Sequence, residues 1–294
     1  KEILMSPREI VVVSGKGGTG KTTLTACFAA LAEGPRIMAD ADVDAPNLEL
    51  LLSPRETEKR PFFGMEVAHV DAARCTGCGE CERFCRFRAI SVRDGKAEVD
   101  SGFCEGCGGC LLVCPEACIS KEKFQRGVLR RGETDFGSMW YARLTPGGEN
   151  SGMLVALLRK EAKREAVERG VSLLLVDGPP GVGCPVISSL TGADFAVLVT
   201  EPSRSALSDL RRVISLCTML SVPFGIAVNR WDLSKEMTSA IRAACDEEGW
   251  SFLGAVPFSE KTARAVNEGR IPVKEIGDPL RELWRAILEK GREH

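Results

Sequence analysis

Residues 10–23 read Ile10-Val11-Val12-Val13-Ser14-Gly15-Lys16-Gly17-Gly18-Thr19-Gly20-Lys21-Thr22-Thr23. The apolar residues at the start predict a buried strand, and residues 24–33 after the stretch predict a helix. Between them lies GxxxxGK[ST], the Walker A pattern, in which backbone N–H groups and a helix N-terminus surround nucleotide phosphates. This order of strand, turn and helix predicts an α/β nucleotide-binding domain.

The residue types within the turn predict how it holds a nucleotide. Glycines let the backbone approach the phosphates, Lys21 reaches the β- and γ-phosphates, and the Thr22 hydroxyl is a ligand for Mg²⁺. We therefore expect ATP or ADP with Mg²⁺. The predicted binding residues are Gly15, Gly17, Gly18, Thr19, Gly20, Lys21, Thr22 and Thr23.

A second lysine, Lys16, lies inside the loop, and the run GKGGTGKTT resembles the deviant Walker A of the MinD/Mrp/ParA P-loop ATPases. That family also contains the nitrogenase iron protein. The resemblance implies a doubly wound, mostly parallel sheet and Mg-dependent ATP hydrolysis. It also implies a nucleotide-dependent homodimer in which Lys16 acts catalytically, in trans, on the partner's nucleotide.

Three carboxylates, Asp40, Asp42 and Asp44, follow a strand predicted at residues 35–39. They suit an acidic turn that caps the next helix, or a switch that holds Mg²⁺ and the attacking water. The pattern DxDxxxP is similar to the family's switch I. That resemblance implies that Asp42 orients the water, with Asp40 and Asp44 nearer to the metal's water shell, although the sequence does not separate these roles.

A second acidic position follows the apolar run at residues 171–176, where the sequence continues Asp177-Gly178-Pro179-Pro180-Gly181. An apolar strand that ends in Asp is the Walker B arrangement, in which the carboxylate reaches Mg²⁺ through its waters. The run DGPPG resembles the family's switch II, and Gly178 is expected to present its N–H to the γ-phosphate.

Base recognition is predicted near the C-terminal third of the chain. Asn229-Arg230-Trp231-Asp232 is similar to the N[KR]xD element, so Asn229 is a candidate purine reader. An Asn-initiated turn is the alternative. Residues 255–258 resemble the family's adenine-closing loop, which places Pro257 beside the base.

The chain contains 13 cysteines, and eight of them form two copies of CxxCxxCxxxC. A 29-residue internal repeat carries these copies, and the whole segment resembles a two-cluster 4Fe-4S ferredoxin. In such proteins the fourth cysteine of each motif binds the other cluster. The resemblance therefore implies a first cysteine set and a second cysteine set. The first set is Cys75, Cys78, Cys81 and Cys114, and the second set is Cys104, Cys107, Cys110 and Cys85.

Alternatives remain open for the cysteines. Paired CxxC motifs also suit two structural zinc sites. Cys118 corresponds to Ala89 in the repeat, so it is a small buried residue or a ninth ligand. Cys184 lies seven residues beyond Asp177, where the nitrogenase iron protein has a cluster ligand, so it is a buried, inert thiol or a residue that contacts a dimer partner.

Composition and periodicity predict the structure of the remaining segments. Residues 48–61 predict a linker, the basic run at 121–131 a solvated strand or hairpin, and residues 136–152 a loop. The amphipathic pattern at 278–290 predicts a helix that packs on its own domain or, alternatively, lies on a membrane.

Together these features predict an ATPase domain from residues 1–60 and 123–294, interrupted by a small α+β ferredoxin-like domain at 61–122. The net charge of −2 gives no general attraction to nucleic acid. No apolar stretch is long enough for a membrane span, and the many cysteines without a signal peptide predict a cytoplasmic protein.

The expected function is ATP hydrolysis coupled to electron transfer or to metallocofactor assembly, with a redox or assembly partner protein. A positioning or regulatory switch with structural or redox-sensing clusters is the alternative.

Overall fold

The computed structural model describes residues 6–146 and 150–291, which form two compact units. Unit 1 is built from the described parts of Lys1–Lys59, Leu129–Arg143 and Ser151–His294. Unit 2 is built from Arg60–Val128 and the described part of Leu144–Asn150.

The strands alternate with helices along most of the chain, as expected for an α/β protein. The strands are β1 (Arg8–Ser14), β2 (Arg36–Asp40), β3 (Arg55–Val70), β4 (Ile90–Arg93), β5 (Lys96–Val99), β6 (Ile119–Thr134), β7 (Gly137–Leu144), β8 (Leu173–Pro180), β9 (Phe195–Thr200), β10 (Phe224–Asn229) and β11 (Ser251–Val256). The helices are α1 (Lys21–Leu31), α2 (Leu48–Leu52), α3 (Glu80–Phe84), α4 (Gly109–Val113), α5 (Ser151–Arg169), α6 (Cys184–Leu190), α7 (Arg204–Met219), α8 (Lys235–Glu248), α9 (Glu260–Asn267), α10 (Val273–Ile276) and α11 (Asp278–Lys290).

The larger sheet has the strand order β11-β10-β9-β1-β8-β2-β7-β6-β3. Strand β1 pairs in parallel with β8 on one side and with β9 on the other. The chain leaves β1 through α1 to reach β2, on the far side of β8, so the connections change direction beside β1. Ligands of open α/β sheets bind at such a switch point, outside the carboxyl ends of the strands. The mostly parallel sheet expected from the sequence is confirmed.

Apolar composition explains the central strands, because a parallel sheet covered by helices is buried on both faces. Residues 9–14 of β1 are all buried, and so are all six residues of β9. One core cluster joins β1 to the helices α1 and α11, where the Phe28 and Trp284 rings stack with their centroids 5.2 Å apart.

The linker predicted at residues 48–61 is wrong. Leu48, Leu51 and Leu52 of α2 are buried in the core, and residues 55–61 begin β3. Residues 55–59 are exposed, and β3 is the last strand in the sheet order. Charged side chains are normal on an edge strand, so composition alone could not distinguish this strand from a linker.

The expected loop at 136–152 also contains a strand. Strand β7 pairs in parallel with β2, with Met38 opposite Met139 and Ala39 opposite Trp140. Trp140 is buried, and its ring nitrogen donates a 2.6 Å hydrogen bond to Glu165 of α5. The indole thus needs a partner distant in sequence, which local patterns do not reveal.

Helix α11 begins and ends where the periodicity predicted. Leu280, Leu283, Trp284 and Ile287 are buried in the core of unit 1, so the amphipathic face packs on its own domain. Across residues 6–146 and 150–291, no helix has the length and apolar character required to cross a bilayer.

Unit 2 contains the hairpin of β4 and β5 and the short helices α3 and α4. Its core is small and rich in sulfur. The buried members are Ala68, Cys75, Cys81, Ile90, Ala97, Cys110, Cys118 and Ile119. The long strands β3 and β6 begin or end in unit 1 and continue along the chain into unit 2.

Candidate functional site

The glycine-rich turn links the end of β1 to the start of α1. Gly20 has φ of 85°, a left-handed conformation, and a Cβ there would lie 2.2 Å from Nδ2 of Asn229. The Asn229 amide donates a 2.8 Å hydrogen bond to the Thr19 carbonyl. The turn is thus held from β10, and any side chain at Gly20 would displace it.

Lys21 and Asp177 form the centre of the site. The Lys21 ammonium lies 3.2 Å from Oδ1 of Asp177, and the Thr25 hydroxyl donates to the same oxygen at 3.0 Å. Asp177 is fully buried, and its Oδ2 has no hydrogen-bond partner among the described residues. A buried carboxylate oxygen without a partner is costly, and a hydrated Mg²⁺ beside the Walker A loop would satisfy it.

The three carboxylates of the acidic turn have different environments. Both oxygens of Asp40 accept hydrogen bonds from the chain, one from the Asp42 N–H at 3.2 Å and one from the Leu48 N–H at 3.0 Å. Asp40 therefore shapes the turn from inside, whereas Asp44 is exposed. Asp42 lines the phosphate-side cavity, and its Oδ2 is 4.0 Å from the Lys21 ammonium.

Burial affects the protonation of this turn. It raises the pKa of Asp40 well above the usual range, and the nearby Asp177 charge adds to the effect. Burial also raises the pKa of Asp42, while the Lys21 ammonium opposes that shift. A carboxylate with a raised pKa beside a phosphate-binding lysine is suited to accept a proton from, or orient, a water molecule.

Two cavities adjoin the turn. The phosphate-side cavity is lined by Ser14 and residues 17–23 of the Walker A loop, without Gly15 and Lys16, together with Asp42, Pro180 and Arg230. The neighbouring base-side cavity is lined by Asn229, Pro257 and Phe258, with Gly20 and Thr23. Asp232 accepts a 2.7 Å hydrogen bond from the Phe258 N–H and so fixes the loop that carries Pro257.

Not every predicted residue faces these cavities. Gly178 is buried within β8, where a Cβ would lie 2.6 Å from a methyl group of Val13, so its need for glycine is a packing need. Pro180 instead lines the phosphate-side cavity. Sequence reasoning missed Val266 of α9, which lines both cavities, because an apolar residue in an amphipathic helix carries no motif.

Lys16 forms its contacts within its own chain. Its ammonium lies 2.6 Å from Oε1 of Glu201 and 3.4 Å from the Ser205 hydroxyl. Arg230 is 3.7 Å from the other Glu201 oxygen and donates to the Gly18 carbonyl at 3.2 Å. Glu201, just after β9, thus connects two cations around the loop.

In unit 2, the first cysteine set lines one cavity. Cys75, Cys78, Cys81 and Cys114 surround it, together with Cys118. Hydrogen bonds from the Ala97 and Gly77 N–H groups lower the pKa of Cys75, and the Ala97 contact is 3.4 Å long. Main-chain donors directed at a sulfur stabilise a thiolate, the form that binds metal.

The second cysteine set lines a separate cavity, formed by Cys85, Cys104, Cys107 and Cys110. The Ala68 N–H donates to the Cys104 sulfur at 3.4 Å. In each cavity, three cysteines of the set come from one half of the repeat and the fourth from the other half. Among the described residues, no group of three or more His, Cys, Asp or Glu side chains is arranged to hold a metal ion.

The two cysteines left open by the sequence differ in environment. Cys184 is exposed at the start of α6, so it is not the buried thiol considered above. Cys118 is buried, and its sulfur lies 3.4 Å from that of Cys114. Burial and the Cys114 contact raise the pKa of Cys118.

Comparisons with known proteins support the nucleotide-binding domain. Residues 10–273 match the family model of the CobQ/CobB/MinD/ParA nucleotide binding domain. An uncharacterized Methanocaldococcus jannaschii protein, MJ0578, is 33% identical over 224 residues, which is 76% of this chain and 78% of the relative. The iron-sulfur cluster carrier protein of the same organism is 23% identical over 302 residues, covering 96% of this chain and 83% of the relative.

Among solved structures, the chain resembles the septum site-determining protein MinD of Pyrococcus horikoshii, which was determined with Mg-ADP. The TM-score is 0.56 and the identity 20%, with 98% of this chain and 95% of the other covered. This similarity supports the fold of the chain.

Proposed function

This chain belongs to the CobQ/CobB/MinD/ParA family of nucleotide-binding domains, and we propose that it is a Mg-dependent ATPase whose nucleotide cycle controls electron transfer through two resident 4Fe-4S clusters. The observation that carries the proposal is the grouping of eight cysteines around two separate cavities in a chain with a complete Walker A loop. Its partner would be a redox protein that accepts or supplies single electrons.

The nucleotide side follows from the residues around the phosphate-side cavity. Lys21 would exchange its contact with Asp177 for the β- and γ-phosphates, because an anion with several negative oxygens is the stronger partner. Asp42 would orient the attacking water. Thr22 and the partnerless Asp177 oxygen fit Mg²⁺, which would neutralise charge on the phosphates.

The base-side cavity suits a purine between Pro257 and Asn229. The Nδ2 of Asn229 already donates to Thr19, so its contact with a base would be coupled to the position of the loop. Asn229 would therefore report the presence of a base to the phosphate-binding turn.

The cysteine sets supply the thiol ligands that iron-sulfur clusters require, although the described side chains are not gathered around a single metal-ion position. Each cavity is lined by the four thiols of one set, with Cys118 as a fifth thiol in the first cavity, and a main-chain N–H donates to a sulfur in both. Bound clusters would supply one-electron redox chemistry. The chain's own contribution is to hold the sulfurs, exclude water from the buried ones, Cys75, Cys81 and Cys110, and donate hydrogen bonds to them.

Coupling between the two activities requires that ATP bind one conformation of the chain better than another. In the proposed cycle, ATP favours a homodimer in which Lys16 leaves Glu201 and contacts the partner's nucleotide. Strands β3, β6 and β7 and the start of α5 contain the covalent connections through which a change in unit 1 would reach unit 2. Hydrolysis would return Lys16 to Glu201.

A second candidate function is metallocofactor assembly. It is favoured by the relative that covers 96% of this chain and is named an iron-sulfur cluster carrier protein. A carrier must release its cluster to an acceptor, whereas an electron-transfer protein keeps it. The two functions therefore differ in whether iron leaves the chain during ATP turnover.

The experiment is an anaerobic preparation assayed for iron, sulfide and ATP turnover, with clusters oxidised or reduced by dithionite. Electron transfer predicts that the iron stays bound, and that cluster reduction changes the ATPase rate or nucleotide affinity. Lys21→Ala is the control that abolishes turnover. Iron loss to an acceptor apoprotein would support assembly instead, and identical ATPase behaviour in both redox states would support a positioning or regulatory switch.

A further inference from the structure

The buried Cys118 thiol lies beside two members of the first cysteine set, Cys114 and Cys75. Its sulfur is 3.4 Å from the Cys114 sulfur, within hydrogen-bond distance for sulfur, and the side chain is only 5% exposed. Cys118 also lines the cavity that the first set surrounds. No corresponding thiol lines the cavity of the second set among the described residues.

The repeat shows that this thiol is not required by the backbone. In one half, the Asp71 N–H donates to the Cys118 carbonyl at 2.8 Å, and in the other half the Asp100 N–H donates to the Ala89 carbonyl at 2.8 Å. Ala89 is as buried as Cys118, at 2% exposed. A methyl group therefore fills the equivalent position.

The turn before each position is also the same. The Ala117 N–H donates to the Cys114 carbonyl at 3.2 Å, and the Arg88 N–H donates to the Cys85 carbonyl at 3.2 Å. Ala117 and Arg88 both have positive φ, at 44° and 54°. Cys118 and Ala89, each four residues after a proposed ligand, therefore differ in side-chain chemistry but share the same backbone conformation.

The direction of the hydrogen bond follows from the proposed ligand set. A cysteine that binds iron is a thiolate and has no proton to donate, so the Cys114 sulfur accepts. Cys118 then donates. A hydrogen bond to a ligand sulfur stabilises the reduced cluster more than the oxidised one, because reduction adds negative charge that the sulfurs share.

We propose that Cys118 is a positioning residue that donates its S–H to Cys114 and raises the reduction potential of the first cluster above that of the second. The inference rests on the proposed function, since it requires clusters in both cavities. This difference in reduction potential would set the direction of electron transfer, because an electron that enters at the second cluster would move to the first.

The test compares Cys118→Ala, Cys118→Ser and Ala89→Cys in anaerobic, iron-loaded full-length protein. Cluster potentials are measured by redox titration followed by EPR, with signals assigned through Cys85→Ser and Cys114→Ser. Cys118→Ala is expected to lower the reduction equilibrium constant of the first cluster roughly threefold to tenfold, tenfold being 59 mV for one electron. Cys118→Ser keeps a hydrogen-bond donor, so its first cluster is expected to have a reduction potential closer to that of the wild type.

Ala89→Cys is the complementary variant, because it introduces a thiol at the position equivalent to Cys118 in the other half of the repeat. It is expected to raise the potential of the second cluster and leave the first unchanged. If this variant fails to bind its second cluster, the Cys118→Ala and Cys118→Ser pair decides the question.

The outcomes separate the inference from the function on which it rests. Loss of one cluster in Cys118→Ala would make Cys118 a ligand and overturn the inference. Full iron content with both potentials unchanged in that variant would also overturn it, while leaving the proposed function intact. Wild-type protein that contains zinc and no iron would overturn both.

Discussion

The Lys16 ammonium lies 2.6 Å from a carboxylate oxygen of Glu201 in the same chain. Both side chains are partly shielded from water. The Glu201 carboxylate therefore offsets the positive charge of the Lys16 ammonium in the same chain. For Lys16 to act on a partner's nucleotide, this pair must break. The proposed catalysis in trans would therefore require Lys16 to leave Glu201.

Lys16→Ala is expected to keep nucleotide binding close to the wild-type level and to lose ATP turnover by roughly a thousandfold. The physical reason is that a cation supplied in the transition state lowers the barrier without contributing to ground-state binding. Binding is measured with a fluorescent ATP analogue and turnover by phosphate release.

Mixing Lys16→Ala with Asp42→Ala tests the trans arrangement directly. A mixed dimer has one site with both Asp42 and a partner's Lys16, so an equal mixture should recover roughly a quarter of the wild-type rate. A mixture as inactive as its two components would show that Lys16 acts within its own chain.

Asp177→Asn is expected to weaken ATP binding at least about tenfold in Mg²⁺ and far less in EDTA, because the buried Asp177 carboxylate would hold the metal's waters. Isothermal titration calorimetry in both buffers measures the difference. Asp246→Asn, on the exposed face of α8, is the control and should leave both affinities unchanged. Equal losses with and without Mg²⁺ would assign Asp177 to positioning Lys21 alone.

Glu165→Gln is expected to destabilise unit 1 by roughly 3 kcal/mol, because it removes one partner of a buried ion pair. The carboxylate accepts hydrogen bonds from Arg131, Ser138 and Trp140, at 2.6 to 2.8 Å. Glu168→Gln, on the same helix, removes only an exposed pair with Arg164 and should cost less than about 1 kcal/mol. Urea unfolding followed by tryptophan fluorescence reports unit 1, which contains all four tryptophans.

The Glu165 contribution should depend on pH in a defined direction. Burial opposes its charge, but the hydrogen bonds from Arg131, Ser138, Arg169 and Trp140 outweigh burial and lower the pKa from 4.5 to about 2. A group with a lowered pKa stabilises the fold above its unfolded value and loses that effect as pH falls towards the folded value. The difference between wild type and Glu165→Gln should therefore shrink between pH 4.5 and 2.

Cys85→Ser and Cys114→Ser should each affect the cluster assigned to the other motif. Cys85 lines the cavity of Cys104, Cys107 and Cys110, so its loss should perturb the second cluster and leave the first. Cys114→Ser should do the reverse. Iron content and EPR spectra measure both effects, and loss of the cluster bound by the same motif would overturn the assignment.

Several features could be predicted from local sequence because they depend on neighbouring residues. A Walker A turn requires glycine where the backbone curves tightly, and its lysine and threonine follow at fixed spacing, so the nucleotide loop was identifiable. The amphipathic period of α11 and the apolar run of β1 are likewise set by residues close together in the sequence. Strand β3 was missed because exposed charges suit an edge strand and a linker equally.

The amino-acid sequence by itself determined the nucleotide fold and the supply of eight spaced thiols. Only the tertiary structure decided that Asp42 reaches the cavity while Asp40 supports the turn, that Lys16 pairs with Glu201, and that Cys118 contacts Cys114. The reason is physical. Spacing along the chain sets the residues that one turn or helix presents, whereas burial and hydrogen bonding between distant segments select which of those side chains meet.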